Sequence, residues 1–197
     1  MIPMYTLVGS AKNRSARPLW LLEEIGLPFS HIPANAGSPE ARAHSPNGKL
    51  PVLITEGQTI SDSTAIMTYL ADKHGCCTAP AGSLARAAQD SMTQFLLDEF
   101  DALLWTAARH SFVLPEEHRL PAIKDSLRWE YGRSLTRLAD RLQGPCLMGA
   151  DFTLPDIIAT HCLGWGAMIH FGTPEGALAQ YFAAQRARPA FIRAMAR

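Results

Sequence analysis

The amino-acid sequence predicts a chain of two parts, an α/β domain at the N-terminal side and an all-α domain after it. Three observations lead to this fold class. As far as residue 75, short β-prone runs alternate with helical patterns. Residues 76–83 carry no hydrophobic periodicity and are predicted to form a linker. From there to residue 197, apolar side chains recur at helical spacing. The predicted domains are therefore 1–75 and 84–197.

The first domain is predicted to open with a strand over Met4–Val8. After a polar loop, a helix begins with Ser15 as its N-cap. This assignment puts Pro18 in the first turn, where a missing backbone N–H costs nothing. Glu23 and Glu24 lie on the face opposite to the apolar residues of this helix.

The rest of the first domain alternates in the same way. Turn residues separate each run from the next, with Glu56-Gly57 forming a tight hairpin turn. The predicted elements are a strand at 29–33, a helical turn at 39–43, paired strands at 51–55 and 58–60, and a helix at 64–74.

Helices alone are predicted for the second domain. A long helix covers 85–110 and another 122–142, and shorter ones follow Pro174 and Pro189. Between them, Thr153 and Asp156 form a capping box, with Asp in place of the usual Glu or Gln. That box fixes the start of a helix that is apolar on most of its circumference.

The stretch from Ser45 to Leu70 carries the clearest functional signal. Pro51 has no N–H and restricts Leu50 to extended geometry, so the Leu50 backbone is available to a partner. Ser61 and Asp62 are helix-capping residue types, and a helix N-terminus presents unpaired N–H groups and a partial positive charge. An extended segment beside a helix N-terminus suits a small zwitterionic peptide.

Composition excludes several classes of protein. With 47% hydrophobic and 18% charged residues and a formal net charge of zero, the chain is expected to be globular and not to bind nucleic acid. We find no signal peptide and no apolar run long enough for a bilayer, which makes the cytoplasm the expected compartment. The four cysteines show no metal-binding spacing and are expected to be reduced.

Four motifs, in order and at the right spacing, resemble the cytosolic glutathione S-transferases of bacterial type. They are R-P-L-W-L-L-E-E-I-G-L-P-F, S-P-N-G-K-L-P-V-L, I-S-D-S-T-A-I-M-T-Y-L and G-A-D-F-T-L-P-D-I. The resemblance implies a thioredoxin-like N-terminal domain that binds glutathione, a helical domain that forms the pocket for the second substrate, and a homodimer. It implies no metal and no cofactor beyond glutathione as co-substrate.

The resemblance also assigns residues to glutathione. The Leu50 backbone would pair with the cysteinyl part, with Pro51 in the cis form. Asp62 and Ser63 match the acidic-Ser pair that holds the γ-glutamyl end, Ser63 suiting the carboxylate and Asp62 the ammonium. Lys49 matches a position that often reaches the glycyl carboxylate. From the local sequence alone, ordinary helix capping and a solvated lysine remain alternatives.

The residue that contacts the glutathione sulfur is left open. The family places a Tyr, Ser or Cys after the first strand, yet counting four residues back from Arg17 leads to Asn13. An Asn amide can donate a hydrogen bond to a thiolate but cannot form a mixed disulfide. Ser10, Ser15 and Arg14 are the other candidates, although Ser10 can simply end the strand and Ser15 can simply cap the helix.

The second-substrate pocket is expected to include Trp105, Arg109 and His110, near the end of the long helix. Their alternatives are a core tryptophan and a surface histidine. The leading function is conjugation of glutathione to small electrophiles, as in detoxification. A glutathione-dependent disulfide reductase or peroxidase, and a non-catalytic glutathione-binding scaffold, are the competing functions.

Overall fold

A computed structural model describes residues 4–197 of the chain, which divide into two compact units. The first unit extends to Ala81 and also contains Arg186–Arg197. The second unit is Gly82–Gln185. The first contains a sheet with helices and the second contains helices, so the predicted fold class, thioredoxin-like α/β plus all-α, is confirmed.

The first unit is built on a four-stranded mixed sheet in the order β2-β1-β3-β4. β1 runs parallel to β2 and antiparallel to β3, which in turn pairs with β4 as a hairpin. The strands are β1 Tyr5–Gly9, β2 Phe29–Pro33, β3 Val52–Thr55 and β4 Gln58–Ser61. β3 is therefore an inner strand, and Leu50 and Pro51 precede its first ladder pair.

Three helices belong to the N-terminal part of this unit: α1 Ala16–Ile25, α2 Pro39–His44 and α3 Ser63–His74. α1 and α3 pack against each other, and their apolar faces are fully buried at Leu19, Leu22, Ile66 and Leu70. Burial of a Leu or Ile side chain stabilises the fold by roughly 1.5–3 kcal/mol. This packing holds the N-termini of two helices in fixed positions.

The division into units differs from the sequence-based domains at residues 186–197. We expected these residues in the helical domain, but α9, Pro189–Met195, packs on α1 in the first unit. The physical reason is the polar face of α1. Arg188 forms a two-pronged ion pair with Glu24, at 2.6 and 2.9 Å, and Arg193 pairs with Glu23 at 2.8 Å. The two glutamates therefore hold α9 instead of facing solvent.

The second unit begins with one long helical run that widens into a π-helix twice. α4, Leu84–Leu96, and α5, Ala102–Ala108, are each followed by a π-helical segment, Leu97–Asp101 and Arg109–Val113. The unit also contains the 3-10 turn Glu116–His118 and the helices α6 Ile123–Asp140, α7 Leu154–Met168 and α8 Gly176–Arg186, of which the final residue belongs to the first unit. Among the helices of residues 4–197, none is long and apolar enough to cross a membrane.

The capping box at the start of α7 forms as the sequence predicts. Asp156 is completely buried, and its Oδ2 accepts a hydrogen bond from the Thr153 backbone N–H at 2.8 Å. Its Oδ1 accepts from Leu147 N–H at 2.8 Å and from the Tyr181 hydroxyl at 2.9 Å. Burial raises the pKa of this carboxyl, against the lowering effect of its hydrogen bonds. Asp156 thus ties α7 to a loop and to α8.

Candidate functional site

The sheet register brings three separate segments to one end of the first unit. Val8 in β1 lies opposite Val52 in β3, and Val52 lies opposite Ser61 in β4. Because β3 is antiparallel to both neighbours, the ends of β1 and β4 meet the beginning of β3. α1 follows the end of β1 and α3 follows the end of β4, so the two helix N-termini arise at the same end of the sheet. Each contributes a partial positive charge.

The segment before β3 has the geometry that the resemblance implies. The Leu50–Pro51 peptide bond is cis, and Pro51 is buried. Leu50 is half-buried against a small core that contains Val8 and Val52, while Lys49 is exposed. The backbone at Leu50 is therefore anchored by its own side chain and lies outside the ladders of the sheet.

Asp62 is the N-cap of α3. Its Oδ1 accepts hydrogen bonds from the backbone N–H groups of Thr64, at 2.8 Å, and Ala65, at 3.1 Å. The residue is exposed and has a positive φ of 76°. The capping alternative is thus realised, and it occupies one carboxylate oxygen. The second oxygen takes no part in this cap.

Ser63 is the first residue of α3 and is 1% exposed. Its hydroxyl oxygen accepts a hydrogen bond from Nη1 of Arg17 at 3.3 Å. Arg17 lies in the first turn of α1 and is itself 1% exposed. A buried guanidinium therefore links the two helix N-termini and adds a full positive charge to their partial ones.

Arg17 was not predicted to belong to the site and served only to place Asn13 by residue spacing. The available signal was a cation placed on the otherwise apolar side of α1, flanked by Ala16 and Pro18. Lys and Arg are almost never fully buried unless they are paired. A basic residue in an apolar stretch next to a predicted helix start was therefore a reason to suspect an anion site.

The loop after β1 contains the candidates for the sulfur contact. Asn13 is half-buried, and its Oδ1 accepts a hydrogen bond from the Ser15 backbone N–H at 2.9 Å. The prediction that the Ser15 side chain caps α1 is wrong, because Ser15 is already helical and makes no side-chain cap hydrogen bond. Asn13 performs that task from two residues upstream.

Ser15 instead sits below the surface. It is fully buried, and its hydroxyl has no hydrogen-bond partner. The hydroxyl packs against Gly9, where an added Cβ would lie 2.1 Å from Ser15 Oγ and where φ is +154°. Contact between Ser15 and a bound sulfur would require this packing to change.

The other candidates of the loop are closer to solvent. Ser10 and Arg14 are both half-buried, and Ser10 Oγ accepts a hydrogen bond from Lys12 N–H at 3.2 Å. Tyr5 is fully buried inside β1, and its hydroxyl is 2.8 Å from His74 Nε2. Burial raises the pKa of the Tyr5 hydroxyl, which makes it a weaker acid.

The three residues expected at the second-substrate pocket belong to the second unit. Trp105, Arg109 and His110 are all half-buried on α5 and the π segment after it. Nη2 of Arg109 donates to Thr106 Oγ1 at 3.1 Å. Nδ1 of His110 accepts from the Leu120 backbone N–H at 3.0 Å, so this histidine anchors the loop before α6. This hydrogen bond spans ten residues, so the sequence around His110 does not indicate it.

Comparison with known proteins agrees with this architecture. Residues 13–73 match the model of the glutathione S-transferase N-terminal domain. A stretch of 67 residues is 34% identical to glutathione S-transferase 3 of Schizosaccharomyces pombe. That stretch is 32% of this chain and spans 28% of the length of the relative.

Solved structures extend the likeness over nearly the whole chain. A theta class glutathione S-transferase from Xanthomonas axonopodis pv. citri, with glutathione bound, is 26% identical with a TM-score of 0.77, over 98% of each chain. A glutathione transferase family member from Pseudomonas fluorescens, with two glutathione bound, is 25% identical with a TM-score of 0.80, over 98% of this chain and 92% of that one. The N-terminal domain thus matches the glutathione S-transferase model, and the chain as a whole has the glutathione S-transferase fold.

Proposed function

We propose that this protein is a glutathione transferase that binds glutathione at the end of the first unit where α1 and α3 begin. The observation that carries the proposal is the hydrogen bond between Arg17 and Ser63, at 3.3 Å, across two helix N-termini. A carboxylate at this position meets the Ser63 hydroxyl, the partial positive charge of the α3 N-terminus and a buried cation. The exposed oxygen of Asp62 takes the α-ammonium of the γ-glutamyl group.

The middle of the ligand binds along the backbone of Leu50, which lies outside the sheet ladders. Lys49, exposed next to it, takes the glycyl carboxylate. These assignments follow the motif positions of the family. They also agree with charge, since the ligand presents a zwitterion at one end and an anion at the other.

Asn13 is the best donor to the sulfur. Its Oδ1 is committed to the Ser15 N–H, so its Nδ2 is the end of the amide left to donate elsewhere. A thiol with a pKa of about 8.5 is only a few per cent ionised at neutral pH, and lowering that pKa by two units takes about 2.7 kcal/mol. One amide hydrogen bond and the N-terminus of α1 supply part of this stabilisation. Ser10 and Arg14 are the nearby alternatives, and Ser15 is disfavoured because its hydroxyl packs against Gly9.

The reaction is thiol transfer to a small electrophile. The thiolate attacks an electrophilic carbon, a C–S bond forms, the bond to the leaving group breaks, and the thiol proton passes to solvent. The protein contributes by positioning and by stabilising the thiolate. Trp105 and Arg109 are the residues that receive an aromatic or anionic electrophile, with His110 supporting the adjacent loop.

Binding can be tested separately from turnover. Calorimetric titrations would compare glutathione with cysteinylglycine, which lacks the γ-glutamyl group. We expect Arg17→Met and Ser63→Ala to lower the affinity for glutathione at least tenfold and to leave the affinity for the dipeptide nearly unchanged. Lys49→Met serves as the matched control, because it should weaken both ligands. Equal loss for both ligands in the Arg17 and Ser63 variants would contradict the assignment.

Turnover decides between the competing functions. Conjugation of a chloronitroaromatic compound would be assayed beside reduction of a small disulfide and of a hydroperoxide. Conjugation alone supports the transferase, and reduction alone supports the reductase or peroxidase. Tight glutathione binding with neither activity supports the non-catalytic scaffold.

The sulfur contact has its own measurement. The pKa of enzyme-bound glutathione can be followed by the ultraviolet absorption of its thiolate. Asn13→Ala should raise that pKa by about one unit, which corresponds to about 1.4 kcal/mol. Ser10→Ala is the control and should leave it unchanged. A shift in the Ser10 variant alone would transfer the role to Ser10.

We propose further that the protein is a homodimer in the cytoplasm, as its resemblance to the family suggests. The second unit offers a groove between the α4–α5 run and α6 that contains opposite charges, Glu99 beside Arg137 at 2.5 Å, and an indole at Trp129 that is 63% exposed. Sedimentation equilibrium of the wild-type chain and of Trp129→Glu tests this. Two chains per particle are expected for the wild-type chain, and fewer for Trp129→Glu.

A further inference from the structure

Three side chains of metal-binding type meet inside the helical unit. Asp101, His161 and Cys162 each offer one ligand atom, and these three atoms all lie within 4.8 Å of one another. Asp101 is the final residue of the first π segment, and His161 and Cys162 are consecutive in α7. We propose that these residues, the Asp101 cluster, bind a divalent transition metal ion of the zinc type.

The set of donor atoms suits zinc. Thiolate sulfur, imidazole nitrogen and carboxylate oxygen are its three usual protein ligands. In a tetrahedral site with bonds of about 2.0–2.3 Å, neighbouring ligand atoms lie about 3.3–3.7 Å apart. Ligand atoms within 4.8 Å of each other therefore need to approach by about 1 Å, which side-chain rotation supplies. Hard cations such as Mg²⁺ and Ca²⁺ prefer all-oxygen sites and are not expected here.

The π segment gives the cluster its shape. A single wider turn inside an α-helix changes the direction in which the residues around it project, and such turns are common at functional sites. Here the Ala102 N–H reaches back five residues to the Leu97 carbonyl, and the segment packs on α7. The wider turn ends at Asp101, the residue that meets His161 and Cys162.

Access and support also fit a metal ion. Cys162 is completely buried, while His161 is half-buried and leaves a route from solvent. The Trp165 ring packs edge-on to the His161 ring, with 6.0 Å between centroids. The Tyr131 hydroxyl donates to the Cys162 carbonyl at 3.3 Å. Both contacts restrict how the two ligand residues of α7 can move.

Binding would proceed without a change of oxidation state. Bonds form from the metal to one sulfur, one nitrogen and one oxygen, and the Cys162 thiol proton is released to the buffer. Three protein ligands leave a fourth position for water. The sequence offered no signal for this site because Asp101 is separated from the other two ligands by most of three helices.

Cobalt is the spectroscopic probe for the test. Reduced full-length protein would be titrated with Co²⁺, and one equivalent should produce a sulfur-to-cobalt charge-transfer absorption and the strong visible bands of a tetrahedral ion. Zinc-edge X-ray absorption of the Zn²⁺ complex should give one sulfur ligand with the rest nitrogen and oxygen. Two sulfur ligands would point to the adjacent Cys76-Cys77 pair and would overturn the proposal.

Variants then identify the ligands. The double variant Cys76→Ser/Cys77→Ser is the control and should keep the full charge-transfer signal. Cys162→Ser should remove it, and His161→Gln and Asp101→Asn should each weaken Co²⁺ binding at least tenfold, with circular dichroism to verify folding. If Cys162→Ser does not fold, the half-buried His161→Gln variant decides. Unchanged binding in that variant, or no absorption in the folded wild-type protein, overturns the proposal.

Discussion

Asp62 and Asp156 both lie at the start of a helix, yet the two aspartates have opposite surroundings. Asp62 caps α3 from an exposed position with one carboxylate oxygen. Asp156 stabilises the start of α7 while completely buried, with both oxygens committed to hydrogen bonds from Leu147, Thr153 and Tyr181. The same residue type therefore keeps one carboxylate oxygen out of the cap where it is exposed, and commits both oxygens to the fold where it is buried.

The largest effect should come from removing the buried carboxylate. Asp156→Ala leaves the Leu147 N–H and the Tyr181 hydroxyl buried without their acceptor. Each such group costs about 1–3 kcal/mol, so the free energy of unfolding should fall by about 3–5 kcal/mol. Urea denaturation measures this loss of unfolding free energy. The matched control, Asp62→Ala, should lose only about 1 kcal/mol. Similar losses of unfolding free energy in the two variants would contradict the distinction between the buried and the exposed aspartate.

The exposed aspartate should show the reverse pattern. Asp62→Asn keeps a capping side chain but removes the charge, so stability should change by less than about 0.5 kcal/mol. Glutathione affinity should fall about 10- to 100-fold, the equivalent of one charge-assisted hydrogen bond. Calorimetry of glutathione and of its deaminated analogue, which lacks the α-ammonium group, would separate the two effects. The analogue should bind both proteins alike, and a preference for the wild-type protein would assign Asp62 to capping alone.

A smaller effect is expected from the neighbour of the buried aspartate. Thr153 Oγ1 donates to Asp156 Oδ2 at 3.2 Å at the start of α7. Thr153→Ala should lower the free energy of unfolding by about 1 kcal/mol, since the backbone N–H of residue 153 still holds the carboxylate. Thr153→Ser keeps the hydroxyl and should recover most of the loss. Without such recovery, the methyl group would be the important part of the side chain.

The smallest effect on stability is expected at Glu23, a half-buried carboxylate. Burial tends to raise the pKa of Glu23, but hydrogen bonds from Arg193 and Arg197 outweigh it and lower that pKa. Its contribution to stability is therefore present above the unfolded value of about 4.3 and is lost as the pH falls through the lower folded value. Glu23→Gln should destabilise by up to about 1 kcal/mol at pH 6 and by less near pH 3. If the stability difference between the wild-type protein and Glu23→Gln did not change with pH, the charge of Glu23 would be excluded as its cause.

The features that sequence predicted well are local ones. The order of strands and helices, the turn at Glu56-Gly57 and the capping box at Asp156 depend on neighbouring residues, and each of them forms. Leu50, Asp62 and Ser63 could be assigned because the family motifs contain them within a few residues. Their roles toward glutathione stay predictions.

The features that sequence did not reveal depend on packing between distant residues. Nothing near Glu24 indicates that Arg188 will pair with it, and nothing near Ser63 indicates Arg17. The capping of α1 was assigned to Ser15 because that start puts Pro18 in the first turn, but the Ser15 hydroxyl packs against Gly9 and Asn13 accepts from the Ser15 N–H instead. Local patterns contain no information about such contacts.

The return of α9 to α1 has a consequence for synthesis of the chain. Ribosomes release a protein from its N-terminus onward, and domains generally fold as units during that process. The first unit is not continuous in sequence, because Trp20 packs against Phe191, with 4.9 Å between ring centroids, and Glu24 pairs with Arg188. Until residues 186–197 have been translated, the face of α1 that packs on α9 is therefore uncovered. The first unit therefore lacks its last helix until all of the second unit, residues 82–185, has been translated.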